Sequence, residues 1–122
     1  MLLPFQTPLL DVREGVRLCG GNSAMHRRML HLFSEDPSFF RLKSALRSMA
    51  PQEAFLHAHT LKGLSAQLAL PRLHSALETL CDVLRGAEEN AASHALIPLP
   101  ELEEIYLKTL EEIDTFLSQP LP

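Results

Sequence analysis

The chain has 122 residues, enough for one ordinary domain and too few for two. A composition that is 46% hydrophobic and 21% charged belongs to a folded globular protein and excludes a disordered one. No apolar run reaches the roughly eighteen residues of a membrane helix, and a net charge of −4 leaves no basic stripe for nucleic acid.

The charge is also unevenly spread. Residues 1–61 carry seven Lys/Arg against five Asp/Glu, and residues 62–122 carry four against ten. The acidic second half reads as a solvated helix face. Two cysteines, Cys19 and Cys81, are too few for a disulfide framework or a zinc site and suit a reducing cytosol.

Met1 to Leu10 holds two prolines and no positive charge, a poor secretory signal, so residues 1–10 are expected to form a flexible leader that includes Pro4, Phe5 and Pro8. Asp11 with Glu14 three positions on has the spacing of a capping box for a short opening helix. Gly20-Gly21-Asn22 then breaks the chain, and Asn22 can cap a helix running through Phe33. Asp36-Pro37 offers a cap followed by proline at the first helical position, opening a helix that carries Phe40, Leu42 and Leu46. Pro51, Pro71 and Pro100 open three longer segments, roughly 51–69, 71–90 and 100–118. The 87–99 stretch, rich in Ala, Asn and Ser, reads as a longer loop.

Val and Ile are few, so strands are not expected. In the 71–90 segment Leu73, Leu77, Leu80, Leu84 and Ala87 form one apolar stripe, and Leu102, Ile105, Tyr106, Leu110, Ile113 and Leu117 form another in the last segment. Met25, Met29 and Met49 read as core filler. These observations predict an all-α fold: an antiparallel up-down four-helix bundle with a short N-terminal helix and a split first bundle helix. The bundle is expected over 11–118, with 119–122 as a C-terminal tail.

Segment 51–69 carries the chemistry. At about 100° per residue, Ala54, Ala58, Leu61, Leu64, Ser65 and Leu68 share one sector and His57 lies at its edge. His59 falls about 160° from Leu61, on the face where a core histidine has no place. Around it lie Phe55, Leu56, Lys62, Gly63 and Ala66. A glycine on an exposed helix face costs about 1 kcal/mol relative to alanine, and it clears room beside the imidazole. Histidine as a residue type keeps one ring nitrogen unprotonated near neutral pH, which suits a nucleophile, and Lys62 could offset the charge of an attached anion. If the next helix returns through a turn near Leu70, position 81 comes level with position 59. Glu78, Cys81, Asp82 and Arg85 are then candidates to flank the ring, Cys81 as interface packing and Arg85 either as a lure for an acidic partner or as an ordinary exposed arginine. His26, His31, His74 and His94 show no metal-ligand spacing.

The run His59-Thr60-Leu61-Lys62-Gly63-Leu64-Ser65-Ala66 resembles the signature of histidine-containing phosphotransfer (HPt) domains, a His-x-Leu-Lys-Gly run followed by small residues. Leu10-Asp11, Gly20-Gly21-Asn22, Met29-Leu30, Phe33 and Leu77-Glu78 are similar to flanking features of that family and fall in the same order. Two positions depart from its pattern: Ala69 stands where glycine is common, and Gln67 where a small polar residue is.

The resemblance implies a four-helix-bundle phosphoryl carrier in a multistep two-component relay. By it, His59 accepts a phosphoryl group from a receiver-domain aspartyl phosphate and passes it to another receiver. Lys62 stabilises that group, Gly63 leaves room for it, and Phe55, Leu56, Ala66 and Arg85 meet the partner. It implies a phosphocarrier rather than an enzyme, with no cofactor or metal of its own and Mg²⁺ on the receiver. The expected partners are response-regulator receiver domains and a hybrid histidine kinase, with no nucleic acid and no membrane, for a cytoplasmic monomer. The starting methionine favours an independent protein over a domain of a larger kinase. The alternative is a docking bundle of the same fold that binds a receiver or kinase without being phosphorylated.

Overall fold

Proline, glycine and short polar side chains cut this chain into helices. The computed structural model describes residues 7–86 and 91–120, and these are helical throughout apart from the turns. In order the helices are α1 (Val12–Leu18), α2 (Ser23–Ser34), α3 (Ser38–Arg47), α4 (Pro51–Gln67), α5 (Pro71–Arg85), α6 (Ala91–Ala95) and α7 (Leu99–Leu117).

Half of the expected capping box forms at α1. Asp11 Oδ1 accepts from the Glu14 amide at 3.1 Å, whereas the Glu14 carboxylate turns to Arg17 at 2.6 Å instead of closing the box. The Arg17 guanidinium beside it holds the Glu14 carboxyl below its usual range. The Asp11 amide instead donates to Ala69 O at 2.9 Å, which fastens the start of α1 to the turn after α4. Gly20 and Gly21 then take φ of 67° and 85°, left-handed values that glycine adopts without strain. Asn22 Oδ1 caps α2 by accepting from the Met25 amide at 2.9 Å.

Asp36 Oδ1 accepts from the Ser38 amide at 2.7 Å, so α3 begins at Ser38 and Pro37 lies just outside it rather than at the first helical position. Pro51 and Pro71 open α4 and α5 as expected, where the missing amide hydrogen costs nothing. α7 starts one residue before Pro100, at Leu99. Proline is tolerated there because none of the first four amides of a helix has an intrahelical acceptor.

α4 and α5 are joined by three residues and pack along their lengths, with α3 on the other side of α4 and α7 against α2 and α5. The leucine stripe of α5 is buried at Leu73, Leu77, Leu80 and Leu84, while Ala87 lies outside the described residues. In α7 the seam is Leu102, Thr109 and Ile113, with Ile105, Tyr106, Leu110 and Leu117 partly buried. Thr109 is tolerated inside because its hydroxyl donates to Ile105 O at 2.7 Å. Arg27 of α2 closes the far end of α7, donating to Leu117 O at 2.9 Å and Gln119 O at 2.7 Å with its guanidinium over the Phe116 ring.

Three expectations need correction. The 87–99 stretch contains α6, a single turn whose Ala91, Ala92 and Ala95 are buried. One turn of alanine is helix-favouring but too short to show a period. In α3 it is Phe39 that enters the core, stacking on Tyr106 with ring centroids 4.0 Å apart. Phe40, one residue on and about 100° around the helix, is 69% exposed. Of Met25, Met29 and Met49 only Met29 packs on the core. Met25 is half-exposed, and Met49 is exposed at a φ of 55° in the turn between α3 and α4.

Of the expected leader, residues 1–6 lie outside the described residues, and with them Pro4 and Phe5. Pro8 is exposed, Leu10 packs on the core, and Thr7 O accepts from Arg72 Nε at 2.8 Å.

Candidate functional site

The two faces of α4 separate as its periodicity dictates. Ala54, Ala58, Leu61, Ser65 and Leu68 are buried, with Leu64 and His57 at the margin. Leu56, His59, Thr60, Gly63, Ala66 and Gln67 are exposed. Among the described residues neither nitrogen of the His59 ring has a hydrogen-bond partner, and the ring's neighbour is Phe55, one turn back, with centroids 5.8 Å apart. A Cβ added at Gly63 would meet nothing within 4 Å, so the helix surface beyond the imidazole is open. Leu56, 61% exposed, supplies apolar surface on the same strip.

Lys62 is half-buried on the α5 side of the strip and makes no ion pair among the described residues. Its charge is felt by Cys81 across the α4–α5 seam. Burial nevertheless dominates there and pushes the Cys81 thiol up, against the pull of Lys62 and Arg85. Cys81 is a packing residue.

The register of position 59 opposite position 81 brings the expected segment of α5 alongside, but its side chains divide. Arg85 lies over the Phe55 ring, 5.6 Å from the centroid, and is held by Asp82 at 3.1 Å. Glu78 turns away toward His74 Nε2 at 3.5 Å. None of Glu78, Cys81 and Asp82 makes a hydrogen bond or an ion pair with the imidazole of His59.

His74, which shows no metal-ligand spacing in the sequence, has a structural role. Its Nδ1 donates to Lys62 O at 3.1 Å, which ties α5 to the backbone of α4 one turn past His59. Ser65 Oγ donates to the same carbonyl at 2.9 Å. The hairpin register that pairs 59 with 81 also brings 74 level with 65–66, so this contact was within reach of the same arithmetic. His26 lacked any such signal. It is fully buried, with Nε2 donating to Leu68 O at 3.1 Å, and Leu68 lies 42 residues away.

Among the described residues no three His, Cys, Asp or Glu side chains gather as a metal site, and no helix is long and apolar enough to cross a membrane. The Hpt domain family model matches residues 40–117, more than half of the chain. The chain belongs to the Hpt domain family. Hpt domains serve histidine phosphotransfer in phosphorelays and interact with receiver domains and kinases. The Hpt match takes in most of α3 and all of α4 to α7, while Leu10-Asp11 and Gly20-Gly21-Asn22 lie outside it. Neither a curated protein nor a solved structure matches the chain.

Proposed function

We propose that this Hpt domain is a phosphoryl carrier between receiver domains and that His59 is its phosphoacceptor. The observation that carries the reading is the exposed imidazole of His59, without a hydrogen-bond partner among the described residues, beside the open surface at Gly63. In the forward step a lone pair on a ring nitrogen attacks the phosphorus of a receiver's aspartyl phosphate. An N–P bond forms as the acyl P–O bond breaks, and the carboxylate stays on the receiver. The second transfer reverses these bonds on another receiver. The acidic site and Mg²⁺ that serve the carboxyl phosphate belong to the receiver, so the carrier's part is placement and charge.

Lys62, one turn on from His59 and without an ion pair among the described residues, can bring its ammonium to the phosphoryl oxygens. Gly63 lets the receiver's backbone approach, and Leu56 and Ala66 give it apolar surface to bury, with Phe55 and Arg85 at the margin toward α5. The molecule acts as a cytoplasmic monomer whose partners are response-regulator receivers and a hybrid histidine kinase.

The test is phosphoryl uptake from a phosphorylated receiver. Wild type takes up acid-labile, base-stable phosphate, and His59→Gln takes up none while keeping its helical circular dichroism. Uptake by His59→Gln removes His59 from the role. Binding of the receiver by wild type with no uptake at all supports instead the docking bundle that is never phosphorylated.

A further inference from the structure

Phe55 is half-buried, its ring body packed on the core, and it lies between two polar neighbours. Toward the solvent strip is the His59 imidazole, its centroid 5.8 Å away and its plane inclined by 36°. Toward α5 is the Arg85 guanidinium, 5.6 Å from the ring centroid and tethered at its far side by Asp82 at 3.1 Å. Asp82, Arg85, Phe55 and His59 thus form a short row across the α4–α5 seam.

Helical side chains lean toward the N-terminus and over the preceding turn, so the residue four positions back decides what an exposed imidazole rests on. An exposed histidine without such support is free to exchange between staggered rotamers. Here the support is a rigid aromatic plate, pinned below by the core and from the side by a cation. Attack on phosphorus needs a ring nitrogen aimed in line with the leaving oxygen, and each orientation that aims it elsewhere lowers the productive fraction.

We propose that Phe55 is a positioning residue, clamped by Arg85 and the core, that holds the His59 imidazole in the orientation from which it attacks phosphorus. The inference rests on the reading of His59 as phosphoacceptor. In this role Phe55 makes no contact with phosphorus and acts through His59. Leu56 and Ala66 are then left as the apolar surface for the partner.

Phosphoramidate separates positioning from docking, because this small donor has no protein surface to dock. Its P–N bond breaks to release ammonia as the bond from imidazole nitrogen to phosphorus forms. Phe55→Leu keeps an apolar side chain and removes the plate. It is expected to slow uptake from phosphoramidate roughly three- to tenfold and to shift the His59 ring-proton resonances, assigned by their absence from the His59→Gln spectrum. Phe55→Tyr restores both. Wild-type uptake with unmoved His59 resonances in Phe55→Leu overturns the proposal, and so does a loss confined to uptake from a phosphorylated receiver. Should Phe55→Leu not fold, Arg85→Gln loosens the clamp without entering the core. It too must move the His59 resonances and slow phosphoramidate uptake, and wild-type behaviour there is equally decisive against the proposal. Uptake by His59→Gln would strike the acceptor assignment itself, so the two failures remain distinct.

Discussion

His59 and His26 each lie close to a helical glycine, and the two glycines are used in opposite ways. At Gly63 an added Cβ would meet nothing within 4 Å, and the space faces outward beside an exposed imidazole. At Gly15 an added Cβ would overlap the His26 ring, so the space is already filled by the chain itself. There the missing side chain lets α1 lie against α2 while His26 Nε2 reaches Leu68 O at the C-terminal end of α4. A glycine inside a helix costs about 1 kcal/mol wherever it stands. Close internal packing offsets that cost at Gly15. Among the described residues nothing offsets it at Gly63, and the proposed approach of a receiver there would use the space.

The pair of glycines can be broken apart by alanine. Gly15→Ala forces the ring of His26 out of place and is expected to cost about 3 kcal/mol in urea unfolding, the upper range of core overpacking. Gly63→Ala is expected to raise stability by up to about 1 kcal/mol while slowing uptake from a phosphorylated receiver. Equal effects at the two positions would erase the distinction.

The inner pair can be sharpened by a double-mutant cycle. His26→Ala alone strands Leu68 O and leaves a hole, at a cost of about 2–4 kcal/mol. In that background Gly15→Ala should cost much less than it does alone, because the ring it overlaps is gone. Additive costs would show that the two residues do not share the space. A smaller effect than those at Gly15 and His26 is expected at Ala69, which follows α4 at a φ of 61° with its side chain buried. Ala69→Gly should stabilise by about 1 kcal/mol, the penalty of a left-handed L-residue. That backbone angle is also a physical reason for the glycine common at this place in HPt domains.

Periodicity explains which features could be read before any coordinates. The outward set of α4 and its buried set follow from a local rule of about 100° per residue, and so does the leucine stripe of α5, while the caps at Asp11 and Asn22 follow from the equally local preference of short polar side chains for a helix start. The features that escaped depend on what lies across the fold. Phe39 and Phe40 are adjacent and chemically identical, and only the position of Tyr106 on α7 selects Phe39. His26 looks like any helical histidine until Leu68 O and Gly15 are placed around it. At the site, register brought Arg85 to the right level, but its seat on Phe55 rather than beside the imidazole depends on Asp82 and the packing of α5.

The proposed carrier function turns on a single covalent bond. The most direct measurement is to expose the purified protein to a phosphorylated receiver, digest it under alkaline conditions and locate the base-stable phosphate by mass spectrometry. The account predicts one phosphoryl group per chain, on His59. Phosphate on any other of the six histidines, or none on a chain that binds the receiver, would contradict it.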